Sequence, residues 1–317
     1  MITKTDYDFT GFGIFLEQLP YNVTMNGLYD ASTLYKDYDP DKPETFKGCY
    51  DQKVYNHFLE SGKIAGRSYE SMGRSLHDHF IRKGIMELIS HYDKKKVVGV
   101  MGGSAMRRTD ESYRKIAILS KELTEKCTLM ISGGGPGAME ATNLGALMAG
   151  RSIEDLDDAL SILAEAPCYC DDRYIELAFH VLHKYPQQGE YNSLAIPTWL
   201  YGHEPTAPFA THIAKFFENS IREDLLLTIS FGGLIYAPGS AGTMQEIFQE
   251  AVQNHYLTLG FASPMVFLGK KYWSEEMPAY TMLTELSKKG KYKNLILSIT
   301  DDPLEAAEEI MKFQSQK

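Results

Sequence analysis

Long apolar runs are missing from this sequence. No stretch approaches the ~18 consecutive apolar residues that a membrane-spanning helix requires, so no membrane partner is expected. Cysteine is scarce, with four residues (Cys49, Cys127, Cys168, Cys170) in a chain of 317. They form neither a disulfide framework nor the spacing of a zinc site. Cys168 and Cys170 are one residue apart, too close for the usual redox or metal pair. Free thiols in a reducing cytoplasm are therefore the simpler expectation. Basic charge is in deficit. The formal net charge of −10 argues against nucleic acid as the main partner, because phosphate contacts need a basic face. It leaves room for one small phosphate held by backbone amides and a single arginine. The opening segment MITKTDYDFTGFG has no basic patch followed by an apolar run, so no signal peptide is expected. Internal repeats and low-complexity tracts are absent. His77, His79, His203 and His212 are not spaced with acids in the pattern of a metal site, so neither a metal nor another cofactor is expected.

What is present reads as a soluble globular chain, 44% hydrophobic and 23% charged. At this length most apolar surface is buried without a staple. Residues 1 to about 66 are rich in Tyr, Asp, Gly and Pro and show no sustained period, which predicts mostly loop with short elements. From Arg67 to about His91 the pattern turns helical, with Tyr69, Met72, Leu76, Phe80 and Ile81 on one face. Residues 1–94 are thus an N-terminal extension, irregular and then helical.

Residues 95–317 alternate strand and helix, the signature of a parallel sheet. Strands are expected at Val97–Met101, Thr128–Ile131, Ser193–Ile196, Leu234–Ala237, Pro264–Leu268 and Leu295–Ile299. Helices are expected over Glu111–Lys126, after Gly137, over residues 209–230, after Thr243 and from Pro303. Residues 151–190 look like a helical insertion, with apolar stripes at Leu156, Ala159, Leu160 and Leu163 and at Tyr174, Leu177, Ala178, Val181 and Leu182. The predicted class is α/β, a Rossmann-like doubly wound parallel sheet with helices on both faces.

Two glycine clusters fall where a strand gives way to a helix: Ser132-Gly133-Gly134-Gly135-Pro136-Gly137 and Pro238-Gly239-Ser240-Ala241-Gly242-Thr243. Ligands of such sheets sit beyond the carboxyl ends of the strands. There glycine lets the backbone approach closely, and the amides and partial positive charge of the helix N-terminus favour a phosphate. Neither turn matches G-x-G-x-x-G with a downstream ribose acid, nor a Walker loop, so conventional NAD and ATP sites are disfavoured. Glycine turns that hold no ligand are the plainer alternative.

Glu246 lies three residues after Thr243. Locally this reads as a capping box, while the neighbouring phosphate turn favours a carboxylate that faces a ligand's ribose. Arg222 precedes the last glycine strand by one helix and a turn. Beside Glu223 and Asp224 it reads either as a surface ion pair or as a guanidinium at the strand ends, oriented by those two acids. Glu204 and His203 are candidates to line a base pocket near Trp199.

The segment Gly102–Ala149 with its Gly133–Met139 turn, and the run Pro238 to Glu246, resemble the two motifs of the LOG ("Lonely Guy") family, the second being its P-G-G-x-G-T-x-x-E motif. The resemblance covers roughly residues 95–315. The extension and insertion are more similar to the longer bacterial branch, which includes nucleotide 5′-monophosphate nucleosidases. The resemblance implies hydrolysis of the N-glycosidic bond of a ribonucleoside 5′-monophosphate, giving a free base and ribose 5-phosphate. It implies Glu246 and Arg222 as catalytic residues and Gly239, Ser240, Ala241, Gly242 and Thr243 as the phosphate cradle. Ser104, Gly133, Gly134, Gly135 and Met139 fall on the ribose and base side. A homodimer or larger homo-oligomer is also implied. Two positions depart from the pattern: Ser240 replaces the motif's second glycine, and Arg222-Glu223 stands for its Arg-Lys pair. The label of lysine decarboxylase, often attached to this family, finds no lysine where a pyridoxal Schiff base would be expected. A non-hydrolytic nucleotide-binding or nucleotide-sensing module is the rival reading, and a mainly structural protein docking through residues 1–94 is a third.

Overall fold

The computed structural model describes residues 9–66 and 68–315. Residues 1–8, on which part of the signal-peptide reading rests, and Arg67, the expected helix start, lie outside them. The extension comprises α1 (Phe9–Leu16), α2 (Ala31–Leu34), a 3-10 turn at Pro43–Gly48, α3 (Tyr50–Glu60) and α4 (Ser68–Ile89). The α/β part follows as β1 (Val97–Met101), α5 (Glu111–Glu125), β2 (Leu129–Ser132), α6 (Ala138–Leu147), α7 (Ile153–Leu163), α8 (Tyr174–Lys184), β3 (Ser193–Ala195) and β4 (His212–Ile213). It closes with α9 (Asn219–Thr228), β5 (Leu234–Tyr236), α10 (Ala241–Tyr256), β6 (Pro264–Leu268), α11 (Ala279–Lys288), β7 (Ile296–Thr300) and α12 (Pro303–Gln314).

The strands form one seven-stranded sheet, parallel throughout, in the order β4-β3-β2-β1-β5-β6-β7. Strand side chains alternate between faces, and the two cores divide accordingly. Val98, Val100, Met130, Ile235 and Val266 pack with residues of α5, α6, α7, α8 and α12. Val97, Met101, Leu129, Ile131, Leu234, Tyr236 and Phe267 pack on the other face with α9, α10 and α11. Helices on both faces of a parallel sheet make the architecture Rossmann-like, as the sequence predicts. The chain order reverses at β1, which has β2 on one side and β5 on the other. A crevice opens at such a switch point.

The extension belongs to the second core. Tyr21, Val23, Tyr29, Leu34, Val54, Phe58, Ile81 and Ile85 are buried with Leu194, Ile196 and Trp199. Tyr29 also pairs with Ile213, exchanging backbone hydrogen bonds of 2.9 and 2.7 Å, and so covers the outer strand of the sheet.

Several expectations are corrected. Residues 209–230 are not one helix: His212–Ile213 is a strand, and the helix begins only at Asn219. A two-residue strand is too short to carry a periodicity. The expected apolar face of α4 turns inward only in part: Ile81 is buried and Leu76 packs against the core, but the buried face is not purely apolar. It carries Glu70, Arg74, His77 and Asp78 beside Ile81, Ile85 and Ile89. These charges are paired, Glu70 with Arg74 at 2.8 Å and with His57 at 3.1 Å, which permits their burial. Residues 50–60 form an eleven-residue helix inside what reads as loop. On α10, Ile247 and Ala251 are buried, whereas Val252 is exposed. Cys168 and Cys170 are joined as a disulfide rather than left as free thiols, while Cys49 and Cys127 are free. Among the described residues, no helix is long and apolar enough to cross a membrane.

Candidate functional site

Three strand ends are stitched together at the switch point. After β1, the Gly103 amide donates to the Pro238 carbonyl at 3.0 Å, and the Gly103 carbonyl accepts from the Ala138 amide at 3.3 Å. A methyl group on Gly102 would come within 2.6 Å of the Ala138 Cβ, so the backbones meet only because side chains are missing there. After β2, Gly134 (φ 73°) and Gly137 (φ 68°) take the left-handed conformations that glycine tolerates. Ser132 ties this turn: its hydroxyl donates to the Met139 carbonyl and accepts from the Gly134 amide and the Asn143 side chain.

After β5, the turn Pro238–Ser240 enters α10. Tyr272 holds it from outside, donating to the Gly239 carbonyl at 2.7 Å. The first helical bond runs from the Met244 amide to the Ser240 carbonyl. Among the described residues, no acceptor pairs with the amides of Ala241, Gly242 and Thr243. Unpaired amides at a helix N-terminus point toward an anion site.

A cleft of about 250 Å³ lies over these turns. Of the residues expected from sequence, Ser104, Gly133, Gly134, Gly135, Met139, Arg222, Ser240, Gly242, Thr243 and Glu246 line it. Gly239 and Ala241 do not. Gly239 is buried beneath the turn against Gly103, and the Ala241 side chain is exposed away from the cleft.

Glu246 sits one turn inside α10. The capping box is not formed: the N-cap of α10 is Ser240, and no side chain caps it. The Glu246 carboxyl borders the cleft, where burial pushes it up to about 7. The Arg222 guanidinium pulls it back, and Glu223 pushes it further.

Arg222 is 8% exposed. Its Nε–H donates to the Ile196 carbonyl at 2.7 Å and a terminal NH donates to the Gly133 carbonyl at 3.1 Å. Gly133 makes room for it, since an added methyl would run into that guanidinium and into the Met139 sulfur. Burial draws the guanidinium below its ordinary pKa, opposed first by Glu246 and then by Glu223. The two acids beside it in sequence do not orient it. Glu223 accepts from Asn219 and Gln245, and Asp224 accepts from Gln249, so they tie α9 to α10 instead.

The wall opposite α10 comes from the segment after β3. Glu204 lines the cleft and accepts from the Ser104 hydroxyl at 2.9 Å. His203, one residue away, instead faces a separate hollow lined by Tyr38, Phe46 and Tyr55. Tyr201, Thr206, Gln245 and Gln249 complete the cleft. These were not singled out in the sequence, because no glycine or spacing marks them. Behind Glu246 lies Glu250, buried, with one oxygen accepting from Ser263 at 2.7 Å and burial pushing it up to about 7. Its other oxygen and the buried Tyr236 hydroxyl have no partner among the described residues. Among those residues, no cluster of three or more His, Cys, Asp or Glu side chains is arranged to hold a metal.

The arrangement therefore offers unpaired amides for an anion, a fixed guanidinium, and a carboxyl that changes protonation near neutrality. The sequence matches no known protein family and no curated protein. Solved structures similar to it include a molybdenum cofactor binding protein from Rippkaea orientalis, with TM-score 0.44 and 14% identity over 69% of this chain and 97% of that one. Another is the molybdenum cofactor carrier protein of Chlamydomonas reinhardtii, with TM-score 0.43 and 16% identity over 69% and 99%. Likenesses this distant carry no argument about what the cleft binds.

Proposed function

We propose that the cleft binds a ribonucleoside 5′-monophosphate and hydrolyses its N-glycosidic bond, as the LOG-like motifs imply. The observation that carries this reading is the placement of Glu246 one turn behind the unpaired amides of α10, in the same cleft as Arg222. The 5′-phosphate sits on the amides of Gly242 and Thr243, and the ribose lies toward Glu246. The base extends over Gly133–Gly135 and Met139. Breaking the bond at C1′ builds positive charge on the ribose. The ionised Glu246 carboxylate stabilises that charge and accepts a proton from the attacking water, the departing base takes a proton from solvent water, and Glu246 returns its proton to solvent. A carboxylate already fixed in place needs no reorganisation as the charge develops. Binding the phosphate supplies energy remote from the reacting bond, so nucleosides are poor substrates. The active species is a homodimer or larger, measurable by light scattering.

Chromatography of AMP, GMP, CMP and UMP incubations tests the reading. Base and ribose 5-phosphate should appear with the wild type and disappear with Glu246→Ala. Equal turnover by the variant would remove Glu246 from the mechanism. Tight binding of a nucleotide with no base released over hours would favour the sensing module.

A further inference from the structure

The helix that presents Arg222 is capped from the extension. Within α9 the N-cap residue, Glu218, makes no side-chain cap bond. The carboxylate of Asp78, on α4, stands in for it: one oxygen accepts from the Phe217 amide at 3.0 Å and the other from the Glu218 amide at 2.8 Å. Negative charge at a helix N-terminus also suits the helix dipole. Asp78 is itself fixed. His77 Nδ1 lies 2.9 Å from the oxygen that Phe217 uses, and because a carboxylate only accepts, that nitrogen carries the hydrogen. His77 Nε2 is 3.0 Å from the Tyr29 hydroxyl, which meets Tyr50 at 3.2 Å. Phe217, which carries the first of the two bonded amides, stacks on Trp199 with ring centres 4.4 Å apart. Asp78 and His77 are buried.

Arg222 lies one turn beyond this anchor, its amide bonded to the Glu218 carbonyl. Its guanidinium reaches Ile196 and Gly133 only if α9 holds its axial position, and a displacement of about 1 Å is enough to spoil such geometry. We propose that Asp78 is a positioning residue for Arg222, so that α4 of the extension is part of the frame of the site. The catalytic consequence rests on the function proposed above; the positioning itself does not.

Hydrogen exchange of the Arg222 Nε–H, followed in an isotope-edited spectrum of the full chain, reads the positioning directly. Asp78→Asn keeps one acceptor oxygen and loses the other. Arg222 protection should fall about tenfold or more, while the Trp199 indole N–H, held by Asp51 at 3.0 Å, keeps its own. Unchanged Arg222 protection would overturn the proposal, and so would an equal fall at Trp199, which would make Asp78 a general prop. If Asp78→Asn does not fold, Asp78→Glu, which displaces both oxygens, is read by the same two signals.

A double-mutant cycle supplies the functional readout. Asp78→Asn should weaken AMP binding about tenfold in the wild-type background and less than about twofold on Arg222→Ala. Equal losses in both backgrounds contradict the proposal. If AMP does not bind the wild type, the proposed function fails, and the exchange measurement alone decides the role of Asp78.

Discussion

Arg222 donates its Nε–H to the main-chain carbonyl of Ile196 at 2.7 Å, which pins a guanidinium carried by α9 to the residue that follows β3. With the second bond to Gly133, the cation is held by backbone rather than by acids. Its fork is therefore fixed by the main chain, while Glu246 and Glu223 act on its charge through space. Arg222→Lys retains the charge but not the planar fork. Losing these bonds leaves two buried carbonyls short of donors, a cost of about 1–3 kcal/mol. The variant should melt several degrees lower, and kcat/KM for AMP should fall about a hundredfold. Wild-type turnover by Arg222→Lys would show that charge alone suffices.

Gly133→Ala probes the same contact from the other side. The added methyl meets the Met139 sulfur at 2.6 Å as well as the guanidinium. Overpacking of this kind costs about 1–3 kcal/mol. Circular dichroism should stay native while nucleotide affinity falls; a variant that binds as the wild type does would show that the site tolerates a displaced Arg222.

How much of this was legible in sequence follows from burial and length. Val97–Met101 and Pro264–Leu268 are covered on both faces, so they read as plain apolar runs. The glycine clusters are visible because close backbone approach at Gly239 and the left-handed turns at Gly134 and Gly137 exclude other side chains. His212–Ile213 was not, since two residues have no period. The apolar pattern of α4 finds Ile81 and Leu76 but not Glu70, Arg74, His77 and Asp78, which are buried because their polar groups are paired in three dimensions. Glu204, which the sequence offers as a pocket residue, does line the cleft, but its bond to Ser104, one hundred positions away, is a relationship that no local pattern encodes.

The pH dependence of stability has a definite sign. Glu250 is pushed from 4.5 up to about 7 by burial. A carboxyl with a raised folded-state pKa binds its proton more tightly when folded. Its contribution is fully present below about 4.5 and is lost as pH rises through about 7. The shift corresponds to on the order of 3 kcal/mol at most. Glu250→Gln, which can still accept from Ser263, should therefore flatten the decline in stability between pH 5 and 8. An unchanged slope in denaturant melts would place the titration elsewhere.

Lys215 and Asp51 form a buried ion pair, with Trp199 and Thr206 as further partners. Thr206 lines the cleft, so the pair links α3 of the extension to the wall of the site. Removing one partner of a buried pair costs about 3–5 kcal/mol. Lys215→Met should lower the melting temperature sharply, and restoring charge balance with Asp51→Asn in the same chain should recover part of the loss. A single variant that melts within a degree of the wild type would mean that the network is not coupled to folding.

On the proposed mechanism, in which Glu246 acts as a carboxylate, turnover should rise with pH through about 7, the value to which burial pushes that group. A kcat/KM profile that is flat between pH 5.5 and 8.5 would exclude it as the titrating group.

The most direct measurement is a crystal structure of the chain with ribose 5-phosphate or AMP bound. The proposed hydrolysis requires phosphate oxygens within hydrogen-bond reach of the Gly242 and Thr243 amides, with C1′ turned toward Glu246. A phosphate bound elsewhere, or Glu246 directed out of the cleft in the complex, would contradict it.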